Sequence, residues 1–377
     1  MCDADGELFI KPCTTSEITF YESAHALHPD FSELMPLYLG SLSLSEGMTD
    51  EMIHAAIPAI VENADIPTPK KEEIQSHLHL AERPVILPEP SLQRAVTDGV
   101  TWIPSKSRKI MTDRAVVLEN ASFGYKKPNI MDAKLGIRLW ADDAPLEKRN
   151  RFDKIATETT HMKYGFRVAG MRVYKGSTDA SELDVDDYRI YDKDWGRFTV
   201  NNNNLLEKLK TFIFNEAAGI DEELGKIVAG AFASDVRRVQ DVLESEESRM
   251  FSSSLLFVFE GDGEALRAAI EETSASARES VTEKASTAAS GRANLRVDSG
   301  IGMGDDIGEA KKPKSAEADE TSSDISDDLD EFSTMPHIYS VKLIDFAHAR
   351  WTPGQGPDEN VLLGVRSLAQ LFEEMSQ

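Results

Sequence analysis

The sequence predicts an α+β fold built in two lobes. Three observations point there. Short apolar or β-branched runs at residues 8–11, 115–119, 130–137 and 165–174 read as strands, while residues 205–215 and 222–243 carry apolar side chains at helical spacing. Neither G-x-x-x-x-G-K-[S/T] nor G-x-G-x-x-G occurs in the 377 residues, which argues against a P-loop enzyme and a dinucleotide fold.

The first lobe, residues 1–120, begins with the strand at 8–11 and a helix at 16–27 capped by Ser16. Its buried strand at 115–119 leads out to the second lobe. Between them, residues 43–99 are polar and dotted with proline, an insertion with at most one or two short helices. The second lobe, 121–377, opens with the strand at 130–137; Asp143-Ala-Pro145 then starts a helix, with Asp143 as cap and proline in the first turn. A strand at 165–174 is broken by Gly170. Leu224, Ile227, Val228, Ala231, Val236 and Val239 form one apolar stripe and read as core. From 263 to 334 the pattern gives way to Ala, Ser, Glu and Gly, then to an acidic run at 322–331. Such a segment buries too little apolar area to offset its ordering entropy, so a long disordered loop is expected.

Net charge is −25, which argues against nonspecific binding to nucleic acid or to anionic membranes. No run is long and apolar enough to span a bilayer, and the first residues lack the h-region of a signal peptide. The two cysteines, Cys2 and Cys13, form no disulfide framework or zinc spacing, and suggest a reducing compartment. The charge reverses locally: from Lys126 to Lys175 there are 12 Lys and Arg against 6 Asp and Glu. A site for a highly phosphorylated small molecule requires such a reversal.

That basic stretch contains Pro128-Asn-Ile-Met-Asp132-Ala-Lys134-Leu-Gly136. Residues i and i+2 of a strand share a face, so Asp132 and Lys134 project into one cavity. The spacing P-x-x-x-D-x-K-x-G resembles the signature of the inositol polyphosphate kinases, and further pieces follow in the same order. Met250-Phe-Ser-Ser-Ser254-Leu-Leu256 is similar to that family's S-S-L-L strand, and Asp345-Phe-Ala-His348 to its D-F-A segment. Upstream, Lys11 and Glu17-Ile-Thr-Phe-Tyr21 resemble its ATP-lobe lysine and E-x-x-F-Y helix, and Glu119-Asn120-Ala121 its adenine hinge. The likeness runs from about Leu8 to the C-terminus and is closest to the fungal multikinases.

The resemblance implies a kinase-like fold and ATP with Mg2+. Lys11 would reach the nucleotide phosphates and pair with Glu17. Glu119 and Ala121 would offer backbone groups to adenine, and Asn120 would face the ribose. Asp345 would hold the nucleotide's metal, assisted by Ser254. Asp132 would orient or deprotonate the acceptor hydroxyl while Lys134 neutralises the transferred phosphoryl group. Lys148, Arg151, Lys154 and His348 would bind inositol phosphates, and Arg197 would be structural. The short segment between Lys134 and Gly165 leaves no room for extra substrate helices, which implies an open pocket. Inositol 1,4,5-trisphosphate is the expected first substrate, with tetrakis- and pentakisphosphate products; a hexakisphosphate kinase and a noncatalytic scaffold are the rivals. The acidic loop suits a transcription-factor complex, and Lys311-Lys-Pro-Lys314 a nuclear signal, so nucleus and cytoplasm are both expected. The family's ATP lobe starts with a glycine-histidine turn. Met1–Gly6 contains none, so a truncated start or weak ATP binding is expected.

Overall fold

A computed structural model of the chain describes residues 6–43, 50–81, 112–275 and 338–377. The chain divides into a unit of Met1–Arg267 with His337–Gln377, which holds all three sheets, and a second of Ala268–Pro336.

In the first lobe, strands β1 (Leu8–Pro12), β2 (Tyr38–Ser43) and β3 (Arg114–Glu119) form an antiparallel sheet in the order β1-β3-β2. Leu8, Ile10, Leu39, Leu42, Ala115 and Val117 pack with Ile57, Val61, Ile66 and Ile74 into one core. Those last four come from residues expected to be a polar insertion. Instead of short, peripheral pieces, two 14-residue helices, Asp50–Asn63 and Thr68–Ala81, lie there. Their sequence hides this because Pro58 sits inside the first and charged residues flank the few apolar anchors of the second. The helix Thr15–Leu27 is capped by Thr14, whose side chain accepts from Glu17 N at 3.3 Å; Ser16, the expected cap, instead donates to Ala347 O. A cap must lie three residues before the amide it satisfies, and Thr14 does.

The second lobe is built on five antiparallel strands in the order β6-β5-β4-β8-β9. These are β4 (Pro128–Leu135), β5 (Phe166–Tyr174), β6 (Tyr188–Tyr191), β8 (Ser254–Glu260) and β9 (Tyr339–Ile344). Strands β7 (Ser248–Met250) and β10 (Ala349–Trp351) form a separate ribbon. The run expected as one S-S-L-L strand is therefore split, because Ser252 adopts φ +61°. On β4, Met131, Ala133 and Leu135 are fully buried. Phe257 and Phe259 of β8 share that inner face and meet Phe232 and Phe372 from helices Glu222–Ser245 and Glu359–Ser376. Truncating one such phenylalanine would cost about 3–5 kcal/mol.

Several boundaries differ from expectation. The strand expected at 130–137 stops at Leu135 because Gly136 turns out of it with φ +91°. Gly165 belongs to the C-cap of the short helix His161–Tyr164, and Gly170 lies at a bulge opposite Asp132 rather than at a break. The helix expected after Asp143 begins at Leu146 with Pro145 at the cap and no side-chain cap bond; Asp143 lies in the preceding turn. Residues 263–275 are helical, with Leu266 fully buried, against the structureless stretch expected from 263; the rest of that stretch, 276–334, lies outside the described residues. The acidic run and Lys311–Lys314 lie outside the described residues. Among the described residues no helix is long and apolar enough to cross a membrane.

Candidate active site

Period-two alternation places Asp132 and Lys134 on the face of the sheet opposite its helices. The register extends that face sideways. Lys134 lies opposite Ser254, which lies opposite Ile344; Asp132 lies opposite Leu256, which lies opposite Lys342. Asp345 follows directly, so the carboxylate arrives at the same edge.

Its geometry is well determined by its partners. Asp345 Oδ1 accepts from Lys11 Nζ at 2.8 Å, and Oδ2 from Lys134 Nζ at 3.4 Å. Lys11 also donates to Glu17 Oε1 at 2.8 Å, and that same oxygen accepts from Phe346 N at 3.3 Å. Asp345 itself takes φ +69°, a strained backbone for a non-glycine residue. The neighbouring Phe346 holds it there, wholly buried and stacked on Phe20 at 5.0 Å, edge-on to Tyr21 at 5.3 Å. Burial alone would raise the Asp345 carboxyl, but the ammonium groups of Lys11 and then Lys134 outweigh it and hold it well below the usual carboxylate range. Lys11 responds in kind: burial would lower it, yet Asp345 and Glu17 push it upward. The Asp345 side chain remains 38% exposed, so a cation arriving with a nucleotide can reach it.

Asp132 lies in the opposite situation. Its Oδ1 is buried without a hydrogen-bond partner. Burial raises its carboxyl, and the nearby Lys134 offsets only part of the rise. Lys134 is anchored by Ser252 O at 2.7 Å and Ser254 Oγ at 3.1 Å. Ser254 is fully buried, and its hydroxyl positions this lysine.

The remaining residues separate into those the structure gathers here and those it does not. Lys148 Nζ lies 3.3 Å from His348 Nε2, which joins the helix Leu146–Glu158 to the segment after Asp345. Burial, then Lys148, lowers the His348 imidazole. Arg151 is exposed and lies over Phe152 of its own helix, and Lys154 pairs with Glu158 at 3.6 Å; neither contacts the Lys134–Asp345 group. Arg197 pairs with Glu158 as well. At the hinge, Asn120 Nδ2 donates to Gly6 O at 2.7 Å and its Oδ1 accepts from Ser122, so this amide braces the hinge itself. Glu119 reaches Lys342 of β9 at 3.2 Å, and Ala121 continues the turn.

Sequence reasoning missed Arg167. It lies opposite Lys134 across β4 and β5, its Nε is buried without a partner, and burial lowers its guanidinium while Asp132 counteracts. The signal was its share of the local positive charge, but only the register shows which arginine faces the lysine. A metal implied by the family fits the donor set: one half-exposed carboxylate at Asp345, suited to a hard cation that brings phosphate oxygens with it. Among the described residues there is no cluster of three His, Cys, Asp or Glu that would hold a metal independently.

The chain is 29% identical to the inositol polyphosphate multikinase of Saccharomyces cerevisiae over 395 residues, covering 99% of this chain and 94% of that protein. It is 28% identical to human inositol hexakisphosphate kinase 1 over 72% of this chain and 54% of that one. An inositol phosphate multikinase from S. cerevisiae, solved with ADP and Mn2+, superposes with a TM-score of 0.55 at 23% identity, covering 99% of this chain and all of that one. That likeness shows the fold, a two-lobed α+β kinase architecture. Residues 115–373 match the family model for inositol polyphosphate kinase, and the chain belongs to the inositol polyphosphate kinase family.

Proposed function

We propose that this chain transfers the γ-phosphoryl group of ATP to inositol polyphosphates as a multikinase, taking inositol 1,4,5-trisphosphate to tetrakis- and pentakisphosphate. One observation carries the reading: Lys11 Nζ and Lys134 Nζ both lie within 3.4 Å of the Asp345 carboxylate, beside a buried carboxylate, Asp132, whose Oδ1 has no hydrogen-bond partner.

The nucleotide lies between the lobes. Glu119 and Ala121 offer backbone groups to adenine, and Leu256 and Ile344 offer partly exposed apolar surface on the sheet beneath it. Lys11 holds the phosphates from the first lobe, and Asp345 would hold Mg2+, whose chemistry when bound would be to offset phosphate charge. Lys134 carries positive charge to where the transferred group becomes most negative. Asp132 accepts the proton of the attacking hydroxyl, for which a raised carboxyl is suited. Lys148, His348 and Arg167 hold the acceptor's phosphates. Phosphoryl transfer needs positioning and charge more than covalent help, and these residues supply both.

The test is a product profile. Purified protein with MgATP and inositol trisphosphate should yield more phosphorylated inositols on anion exchange, and Asp345→Asn should lower turnover about 10²- to 10³-fold or more. Near-normal turnover by that variant would remove Asp345 from the metal site. The likeness to human inositol hexakisphosphate kinase 1 favours a second reading, pyrophosphate formation, which the same profile separates by its later-eluting products. A transcription-factor complex built on the acidic run, and residence in nucleus and cytoplasm, extend the proposal. Tagged protein with Lys311, Lys312 and Lys314 replaced by Ala should then leave the nucleus.

A further inference from the structure

The turn after Lys134 is held by a side chain from the far end of the sequence. Gly136 leaves β4 with φ +91°, and a Cβ there would lie 2.6 Å from Asn360 Nδ2, so the turn and the asparagine fit only with glycine. Asn360 Oδ1 accepts the backbone N–H of Ile137 at 2.9 Å and of Arg138 at 2.8 Å, while its Nδ2 donates to Arg138 O at 3.1 Å. Two residues earlier, Asp358 Oδ2 accepts from Met250 N at 2.8 Å and Oδ1 from Asn360 N at 3.2 Å. Met250 leads into Ser252 and Ser254, which accept from Lys134 Nζ alongside Asp345. Leu135 N donates to Ser253 O at 2.9 Å and ties the two segments together. Both walls of the lysine's socket therefore hang from the start of one helix, Glu359–Ser376, whose Val361, Leu362 and Val365 are fully buried.

We propose that Asp358 and Asn360 are positioning residues that fix Lys134 Nζ for phosphoryl transfer, an inference that rests on the role given to Lys134 above. A lysine ends a flexible four-carbon stem, and its head lies wherever rigid acceptors hold it. Besides Asp345 Oδ2, the acceptors are Ser252 O and Ser254 Oγ, on a segment that bends through a strained φ at Ser252 and would relax if Met250 were released. A misplacement of about 1 Å costs on the order of 10²-fold in rate.

The experiment measures kcat and both KM values for Asn360→Ala and Asn360→Asp, each with and without Lys134→Ala, together with hydrogen exchange. Asn360→Ala should lower kcat about 10- to 100-fold with little change in the ATP KM. Asn360→Asp keeps the oxygen that accepts two amides and should recover most of that loss. In the Lys134→Ala background, Asn360→Ala should change the residual rate by no more than about twofold, because its effect passes through the missing lysine. An equal loss in both backgrounds overturns the proposal. Amides of residues 136–139 and 250–255 should exchange faster in Asn360→Ala, with those of β1 and β3 unchanged; an increase throughout the chain, or none, also overturns it. Where Asn360→Ala does not fold, Asp358→Asn carries the same two comparisons. The exchange result stands apart from turnover, so a parent chain that phosphorylates no inositol phosphate would count against the proposed function, and unaltered exchange against the clamp.

Discussion

Asp345 and Asp132 lie near the same lysine on one side of one sheet, yet the halves of the cleft proposed for nucleotide and for acceptor treat their carboxylates in opposite ways. Asp345 touches two ammonium groups and is held ionised far into acid. Asp132 is buried beside Lys134 with one oxygen unpartnered, and is raised. Contact with a cation makes a permanent anion; burial near a cation without full pairing makes a carboxylate that exchanges its proton more readily. Two carboxyls driven apart by their surroundings suit the different tasks proposed for them, the first electrostatic and the second proton transfer.

Removing the titratable member is the most severe way to break this comparison. Asp132→Asn should lower kcat about 10²- to 10⁴-fold, the range for a lost general base. The pH profile sharpens it: the parent's kcat/KM should fall on acidification through a limb above the ordinary carboxylate range, and the residual activity of Asp132→Asn should lack that limb. A limb retained by the variant would assign the proton to another group.

The acceptor half is tested next through Lys148, the one residue of its helix that reaches His348. Lys148→Glu should raise the KM for inositol trisphosphate about 10- to 100-fold, from the 1.5–3 kcal/mol of a charged hydrogen bond, and leave the ATP KM nearly unchanged. Equal effects on both substrates would move that helix out of the acceptor site.

The smallest effect concerns a group that burial chiefly governs. His161 is fully buried near Arg167 and Lys134, and its imidazole falls to about 3, by burial first and then by Arg167. The unfolded chain binds this proton from about pH 6.5 downward while the folded chain refuses it until about pH 3, so stability is complete above 6.5 and declines below it. The slope is about 1.4 kcal/mol per pH unit across that window. His161→Leu should flatten this part of the curve in urea titrations between pH 6.5 and 4; an unchanged slope would show that other groups set it.

The strand bearing Asp132 and Lys134 was legible because alternation is local: two residues apart on a strand is a statement about side, whatever the partners. Lys11, Glu17 and Asp345 were legible through their motifs, although no local rule brings residues 11 and 345 to 2.8 Å. What stayed hidden depends on register or on non-local acceptors. Arg167 faces Lys134 only because β5 pairs with β4 across a bulge. Asn120 is one of many asparagines until Gly6 O lies 2.7 Å from its amide. The helices at Asp50–Asn63 and Thr68–Ala81 were obscured by composition, since five buried side chains spread over polar sequence from Ile57 to Ile74 suffice to complete a small core.

Glu17 Oε1 accepts from both Lys11 Nζ and Phe346 N. One oxygen of the first lobe thus senses both ends of the phosphate site at once, the lysine that belongs to it and the backbone of the residue beside Asp345. Parting the lobes would break the Lys11–Asp345 contact and release the amide that holds Asp345 in its left-handed geometry. Withdrawing the lysine and loosening the aim of the carboxylate are thereby coupled through a single acceptor.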